Sequence, residues 1–298
     1  MIGAGAGGRG NRTIQDQRNH DPMSNLRMRT NQLLSAVGVR EKGFYTPYDY
    51  LNSVDWEAAD YAAVRPAFTA AEDRFRAFMV AIDANEAHFR AIRTDDPLAP
   101  TWTSRFLPPL DAAAIYTFVS SRRPPRVIEV GCGNSTLFMA RAVRDHGLGT
   151  RITCIDPAPR VPIDGLPVRF ERRVLSPEDV PLFAALDPGD LVFIDSSHIL
   201  QQGFDVDIIL NRILPALKPG VFIHFHDIFL PYAYPAHWRD LRFNEQCALM
   251  PWILGGMTTL EFSSHYTLRD MRGALEATCR GFPLHHAGRG GSIFLRRA

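Results

Sequence analysis

At 298 residues with 46% apolar side chains, the chain can bury a sizeable core and is too apolar for wholesale disorder. Its 33 basic residues are balanced by 32 acidic ones, so no overall field favours nucleic acid or an anionic membrane surface. No apolar run approaches the roughly 18 residues needed to cross a bilayer, and the N-terminus has no apolar signal core.

The first stretch, residues 1–30, is rich in Gly, Arg and Asn and reads as a disordered leader, with Met23 and Met28 as downstream starts. Residues 31–109 form a mixed extension. Within it Phe44-Tyr45-Thr46-Pro47-Tyr48 is aromatic and extended, which makes Tyr45 and Tyr48 candidates for a substrate wall. Phe68 to Phe89 follows helical spacing through Phe75, Phe78, Met79 and Ile82. Asp95-Asp96-Pro97 is its stop. These aromatics suit packing against a following domain better than a lid.

From residue 110 to 298 strands and helices alternate. Asp111 is placed to cap a helix over Ala112–Ser121. Arg126–Val130 is a buried strand that runs through Gly131-Cys132-Gly133 into an amphipathic helix at Asn134-Ser135-Thr136. The two glycines permit positive φ and a close backbone approach, and Asn134, Ser135 and Thr136 can satisfy orphan N–H groups of the helix. A ligand belongs against that turn, at the C-terminal end of the strand. A dinucleotide fingerprint would carry a third glycine where Thr136 stands, which disfavours a nicotinamide enzyme.

Arg151–Asp156 is a second strand ending in an acid, 20–25 residues beyond the turn, where a carboxylate can take both ribose hydroxyls. Val168–Glu171, Leu191–Asp195 and Val221–Asp227 are further strands, with helices over about 176–186 and 204–217 between them. A helix near 244–254, a strand near 257–262 and a closing strand at Ser292–Leu295 bring the count to seven. The pattern predicts an α/β, doubly wound, mostly parallel sheet with an N-terminal helical extension. The four cysteines, Cys132, Cys154, Cys247 and Cys279, form no C-x-x-C pair. They read as reduced thiols of a cytoplasmic protein, neither a disulfide framework nor a zinc site.

Glu129-x-Gly131-x-Gly133, followed by Asp156, resembles class I S-adenosylmethionine-dependent methyltransferases over about two-thirds of the chain. The Asp195-Ser196-Ser197-His198 and His226-Asp227-Ile228-Phe229-Leu230-Pro231 segments are similar to a bacterial small-molecule subgroup of that family. The resemblance implies strand order 3-2-1-4-5-7-6 with the seventh strand antiparallel. It implies S-adenosyl-L-methionine bound by Glu129, Gly131, Gly133, Asn134, Ser135, Asp156 and Asp195, with Val174 or Leu175 near the adenine. One departure is plain: the proline-rich linker 157–167 is too short for the family's usual helix.

Catalysis is expected where Asp195 and His198 leave one strand and His226 and Asp227 leave the next. That site is similar to catechol-type O-methyltransferases, which implies a divalent metal on Asp195, His226 and Asp227. An imidazole in the set shifts preference from magnesium toward manganese, iron or zinc. Two mechanisms follow: the metal acidifies an acceptor hydroxyl, or His198 or His226 is the general base. The aromatic segment 228–238 is a candidate roof for the acceptor, and Asn244-Glu245-Gln246 could face the same cavity. The expected reaction is O-methylation of a small molecule, with neither nucleic acid nor membrane as partner; oligomeric state stays open. The alternative from another class is a non-catalytic cofactor-binding module.

Overall fold

The computed structural model describes residues 22–39, 48–54, 61–92, 98–281 and 289–298. The chain divides into two compact units, residues 1–54 and residues 55–298. In the first, helix α1 spans Pro22–Ala36. It covers the end of the stretch whose composition predicts a disordered leader. The physical reason is that Met, Leu, Arg, Gln and Ala from residue 23 onward are good helix formers, whereas the glycines lie earlier. Tyr45 lies outside the described residues, and Tyr48 is exposed with its ring against Tyr50.

The second unit begins with three short helices, α2 (Arg65–Thr69), α3 (Glu72–Asp83) and α4 (Glu86–Arg90), in place of the one continuous helix expected. Helix α5 (Pro109–Arg122) leads into β1 (Arg126–Val130), α6 (Asn134–Asp145), β2 (Arg151–Ile155) and β3 (Arg169–Glu171). Next come α7 (Val180–Ala184), β4 (Leu191–Ile194), α8 (Asp205–Ile208), α9 (Leu214–Ala216) and β5 (Phe222–Phe225). Helices α8 and α9 are joined by a π-turn at Ile209–Ile213, next to Pro215, which has no N–H to continue an α-helical ladder. Helix α10 (Glu245–Leu254), β6 (Thr258–Ser263), α11 (Ser264–Asp270), α12 (Arg272–Thr278) and β7 (Ile293–Arg297) complete the unit.

The sheet order is β3-β2-β1-β4-β5-β7-β6. Strands β1 to β5 pair in parallel, and β7 inserts antiparallel between β5 and β6. This is the expected seven-stranded arrangement. Strand order reverses between β1 and β4, so their C-terminal ends open a crevice for a ligand. No helix forms over residues 156–168 between β2 and β3, as the prolines require.

The aromatics of α2–α4 are core. Phe68, Phe75, Phe78, Met79, Ile82 and Phe89 are all buried. Phe78 lies 4.7 Å from Phe262 of β6, and Phe118 of α5 stacks 4.5 Å from Phe294 of β7. Each such pair adds about 0.5–1.5 kcal/mol beyond area burial. The helices before α5 are thus bolted to the antiparallel edge of the sheet.

Candidate active site

The glycine turn is dictated by close packing. Gly131 has φ +83°, and a Cβ there would lie 1.8 Å from the backbone oxygen of Asp195 at the end of β4. No other residue fits. The Asp195 N–H donates to Val130 O at 2.9 Å, which locks the ends of β1 and β4 side by side.

Glu129 stands behind this turn. Its carboxylate is fully buried and accepts the hydroxyls of Ser135 and Thr136, each at 2.6 Å. Burial pushes its pKa up to about 7, against those hydrogen bonds. Glu129 anchors the start of α6, and Thr136 Oγ1 also accepts the Gly133 N–H at 3.1 Å. Asn134 is likewise engaged: its side-chain amide pairs with both backbone groups of Thr101, at 2.9 and 2.8 Å.

In front of the turn is a cavity of about 590 Å³. Gly131, Cys132, Gly133, Asn134 and Ser135 form one wall, and Asp156, Val174 and Leu175 another. Asp195, Ser196 and Ser197 close its floor. Asp156 accepts the N–H groups of Cys132 at 2.7 Å and Ala158 at 2.6 Å, which leaves a further lone pair on each oxygen for a ligand. Sequence reasoning missed Ser104, Phe106 and Arg160, which also line the cavity. The Arg160 guanidinium lies 4.4 Å over the Phe106 ring. The helix-free linker after β2 brings it there.

Beside Asp195 the ends of β4 and β5 converge on a charged cluster. The His226 N–H donates to Ile194 O at 2.9 Å, placing its ring next to Asp195. His198 and Asp227 both adopt left-handed backbone, φ +60° and +57°, which turns their side chains toward each other. His198 Nε2 lies 3.4 Å from Asp195 Oδ1 and 3.6 Å from Asp227 Oδ2, while Nδ1 lies 3.0 Å from Glu245 Oε2. His226 Nδ1 lies 3.7 Å from Asp195 and 3.5 Å from Asp227, and Nε2 lies 3.2 Å from Asp111.

Burial would lower the pKa of both histidines, but the surrounding carboxylates win. His198 is raised well above the usual value by Asp195, Glu245 and Asp227. His226 is raised to about 9, chiefly by Asp227, Asp195 and Asp111. Asp195 would itself be raised by burial, yet His226 and His198 hold it below the ordinary carboxylate range. His224, two residues from His226, has the opposite fate. It stacks 3.9 Å from Phe193, pairs through Nε2 with Ser292 Oγ at 3.0 Å, and burial keeps it neutral.

Asp111 is not the helix cap its position suggests. Helix α5 starts earlier, at Pro109, with no side-chain cap. The fully buried Asp111 carboxylate instead accepts Gly291 N–H at 2.9 Å, Ser292 N–H at 3.2 Å and the Ser264 hydroxyl, and holds His226. The helix-cap reading fails because those donors are brought in by β7 and α11. The Asn244-Glu245-Gln246 run binds the loops that carry the site. Asn244 Oδ1 accepts Leu200 N–H at 2.6 Å, Glu245 meets His198, and Gln246 Oε1 accepts Phe229 N–H at 2.9 Å. Ile228, Phe229 and Leu230 are buried by this anchoring, so the front of the expected roof is core. Cys132, Cys154 and Cys279 are buried free thiols, whereas Cys247 is exposed.

A pH test of the His226 pair follows. A group whose folded pKa lies above its unfolded value of 6.5 contributes stability in full below about 6.5 and loses it as pH rises through about 9. Urea unfolding of the metal-free chain is therefore expected to show falling stability across that window, with a shallower fall in Asp111→Asn. Parallel profiles for the two proteins would contradict the pairing.

Residues 128–228, which hold the glycine turn, Asp156, Asp195, His198 and Asp227, match a family model described as a methyltransferase domain. Over that third of the chain the sequence is that of a methyltransferase domain, and the strand order around it is the one the class I resemblance implies. A tRNA (guanine-N(7)-)-methyltransferase of Mycobacterium avium is 28% identical to this chain over 148 residues, 50% of the chain and 43% of that relative. The matched stretch thus spans under half of the relative's length. Among solved structures, a methyltransferase of Podospora anserina bound to SAH is 17% identical with a TM-score of 0.38, covering 86% of this chain and 99% of that one. A Bacillus cereus O-methyltransferase in complex with SAH is 11% identical with a TM-score of 0.38, covering 91% and 100%. Among the described residues no helix is long and apolar enough to cross a membrane.

Proposed function

We propose that this methyltransferase transfers the methyl group of S-adenosylmethionine to a hydroxyl of a small molecule, with a divalent cation held by Asp195, His198 and Asp227. The observation that carries the metal is geometric. One ligand atom from each of the three lies within 4.8 Å of the others. The 3.4 and 3.6 Å separations from His198 Nε2 to the two carboxylates are too long for good hydrogen bonds. They suit donor atoms that share a cation at about 2.0–2.2 Å from each. His226, which the sequence suggests as the ligand, has Nε2 on Asp111 and its buried Nδ1 without a hydrogen bond beside the same carboxylates. It supports the set from behind. Two carboxylates and an imidazole suit manganese, iron or zinc at least as well as magnesium.

The cofactor supplies an electrophilic methyl on a sulfonium, and the cation supplies a lowered pKa for an acceptor hydroxyl. The chain's own residues do the rest. Asp156 has acceptor capacity for the ribose, and the Gly131–Gly133 backbone lets the methionine end approach. Asp195 sits between cavity and cluster, so it fixes where the acceptor oxygen meets the methyl carbon for in-line attack. Val174 and Leu175 give the adenine an apolar wall. With 33 basic against 32 acidic residues the chain has almost no net charge to draw in tRNA, which supports a small acceptor over the substrate named for the mycobacterial relative.

Chelation tests the metal. Treatment with EDTA is expected to abolish methyl transfer, and adding back individual divalent ions to restore it, with cofactor affinity unchanged throughout. Indifference to the chelator would leave a histidine base. In the metal-free chain His198 and His226 are each held protonated by their carboxylates, so acting as base or, for His198, ligating the cation requires loss of that proton first.

A further inference from the structure

A line of rings leads away from the catalytic cluster. The Phe243 ring lies 4.7 Å from the His198 ring, and Trp238 meets Phe243 edge-on at 5.5 Å. At the far end the Arg289 guanidinium sits 4.6 Å over the Trp238 ring, with Nη1 3.4 Å from His237 Nε2. Among the described residues no carboxylate lies within ion-pair distance of Arg289. Its charge nevertheless reaches the cluster, where it offsets part of the burial that raises Asp227.

A half-buried guanidinium without a carboxylate partner, on an aromatic face and next to an imidazole, presents a forked donor set. Such a fork matches a planar or tetrahedral oxyanion and takes it in two hydrogen bonds. The Trp238 face and the His237 contact hold the guanidinium in place, so little freedom is lost on binding. The intervening ring of Phe243 is half-buried and offers an apolar surface for the body of a small molecule.

We infer that Arg289 anchors an oxyanion, carboxylate or phosphate, on the acceptor, so that a hydroxyl elsewhere on the same molecule reaches Asp195 and Asp227. The assignment deepens the O-methylation reading and rests on it. Arg289 is thus a specificity-determining residue: it selects hydroxylated acids or sugar phosphates over their neutral counterparts. It touches neither the cofactor cavity nor the glycine turn.

The test is calorimetry on the full chain saturated with S-adenosylhomocysteine and a divalent ion. Three pairs of probes are compared: 3,4-dihydroxybenzoate with its methyl ester, galacturonate with galactose, and glucose 6-phosphate with glucose. At least one anion is expected to bind ~10-fold or more tightly than its neutral partner, the scale of one lost charge-assisted bond. Which pair responds separates carboxylate from phosphate. Arg289→Met is expected to erase the preference, and Arg289→Lys to leave it intermediate, with S-adenosylhomocysteine affinity unchanged in both. Should the methionine variant not fold, the lysine variant carries the comparison alone. Parity in every pair, no binding of any anion, or an undiminished preference in the variants would overturn the anchor. Failure of the wild type to bind S-adenosylhomocysteine would instead strike the methyltransferase reading beneath it.

Discussion

Asp195→Asn is expected to lower kcat by ~10²–10⁴-fold, the range associated with losing an essential charged group at the reacting centre. The substitution keeps the size of the side chain and leaves the backbone bond from residue 195 to Val130 O in place. Cofactor affinity is therefore expected to change by no more than a few-fold. What disappears is the charge that faces both His198 Nε2 and His226 Nδ1 and supplies one oxygen of the three-residue donor set. Single-turnover transfer of a labelled methyl group separates this loss from slow product release. Wild-type turnover in the variant would remove Asp195 from the mechanism.

Asp156→Ala is expected to weaken S-adenosylmethionine binding by ~10²-fold or more, because a charge-assisted hydrogen bond is worth about 1.5–3 kcal/mol and two ribose hydroxyls are at stake. A second effect works in the same direction. The carboxylate ties Cys132 of the glycine turn to Ala158 of the linker after β2, so its loss loosens two walls of the cavity together. Calorimetry reads the affinity directly, and a melting curve of the ligand-free protein tells whether the fold has suffered. Unchanged affinity would refute the ribose assignment.

Much of the fold was legible because parallel strands covered on both faces are apolar runs with sharp ends. Arg126–Val130, Leu191–Ile194 and Phe222–Phe225 are all of that kind, and each ends at a residue the site uses or adjoins. The absence of a helix after β2 followed from Pro157, Pro159, Pro162 and Pro167, since proline lacks the N–H a helix needs. Helices α11 and α12 were not legible. Strand β6 passes into α11 without a glycine or proline, and the start is marked only by Ser263 Oγ accepting the Tyr266 N–H at 3.3 Å. The acids were the least legible part. Glu129 and Asp156 look alike in sequence, each closing a strand, yet one is sealed behind the turn and the other lines the cavity.

The sequence by itself determined the strand–turn–helix that makes a cofactor crevice, because local sterics and apolar periodicity act over a few neighbouring residues. Tertiary structure alone decided the chemistry of the histidines. His224 lies in β5 and His226 just beyond its end, but of the two only His226 meets an acid 115 positions away, and only it becomes an imidazolium. Charge interacts through space at a few ångströms, and which charges come that close is settled by how β4, β5, α5 and α10 pack.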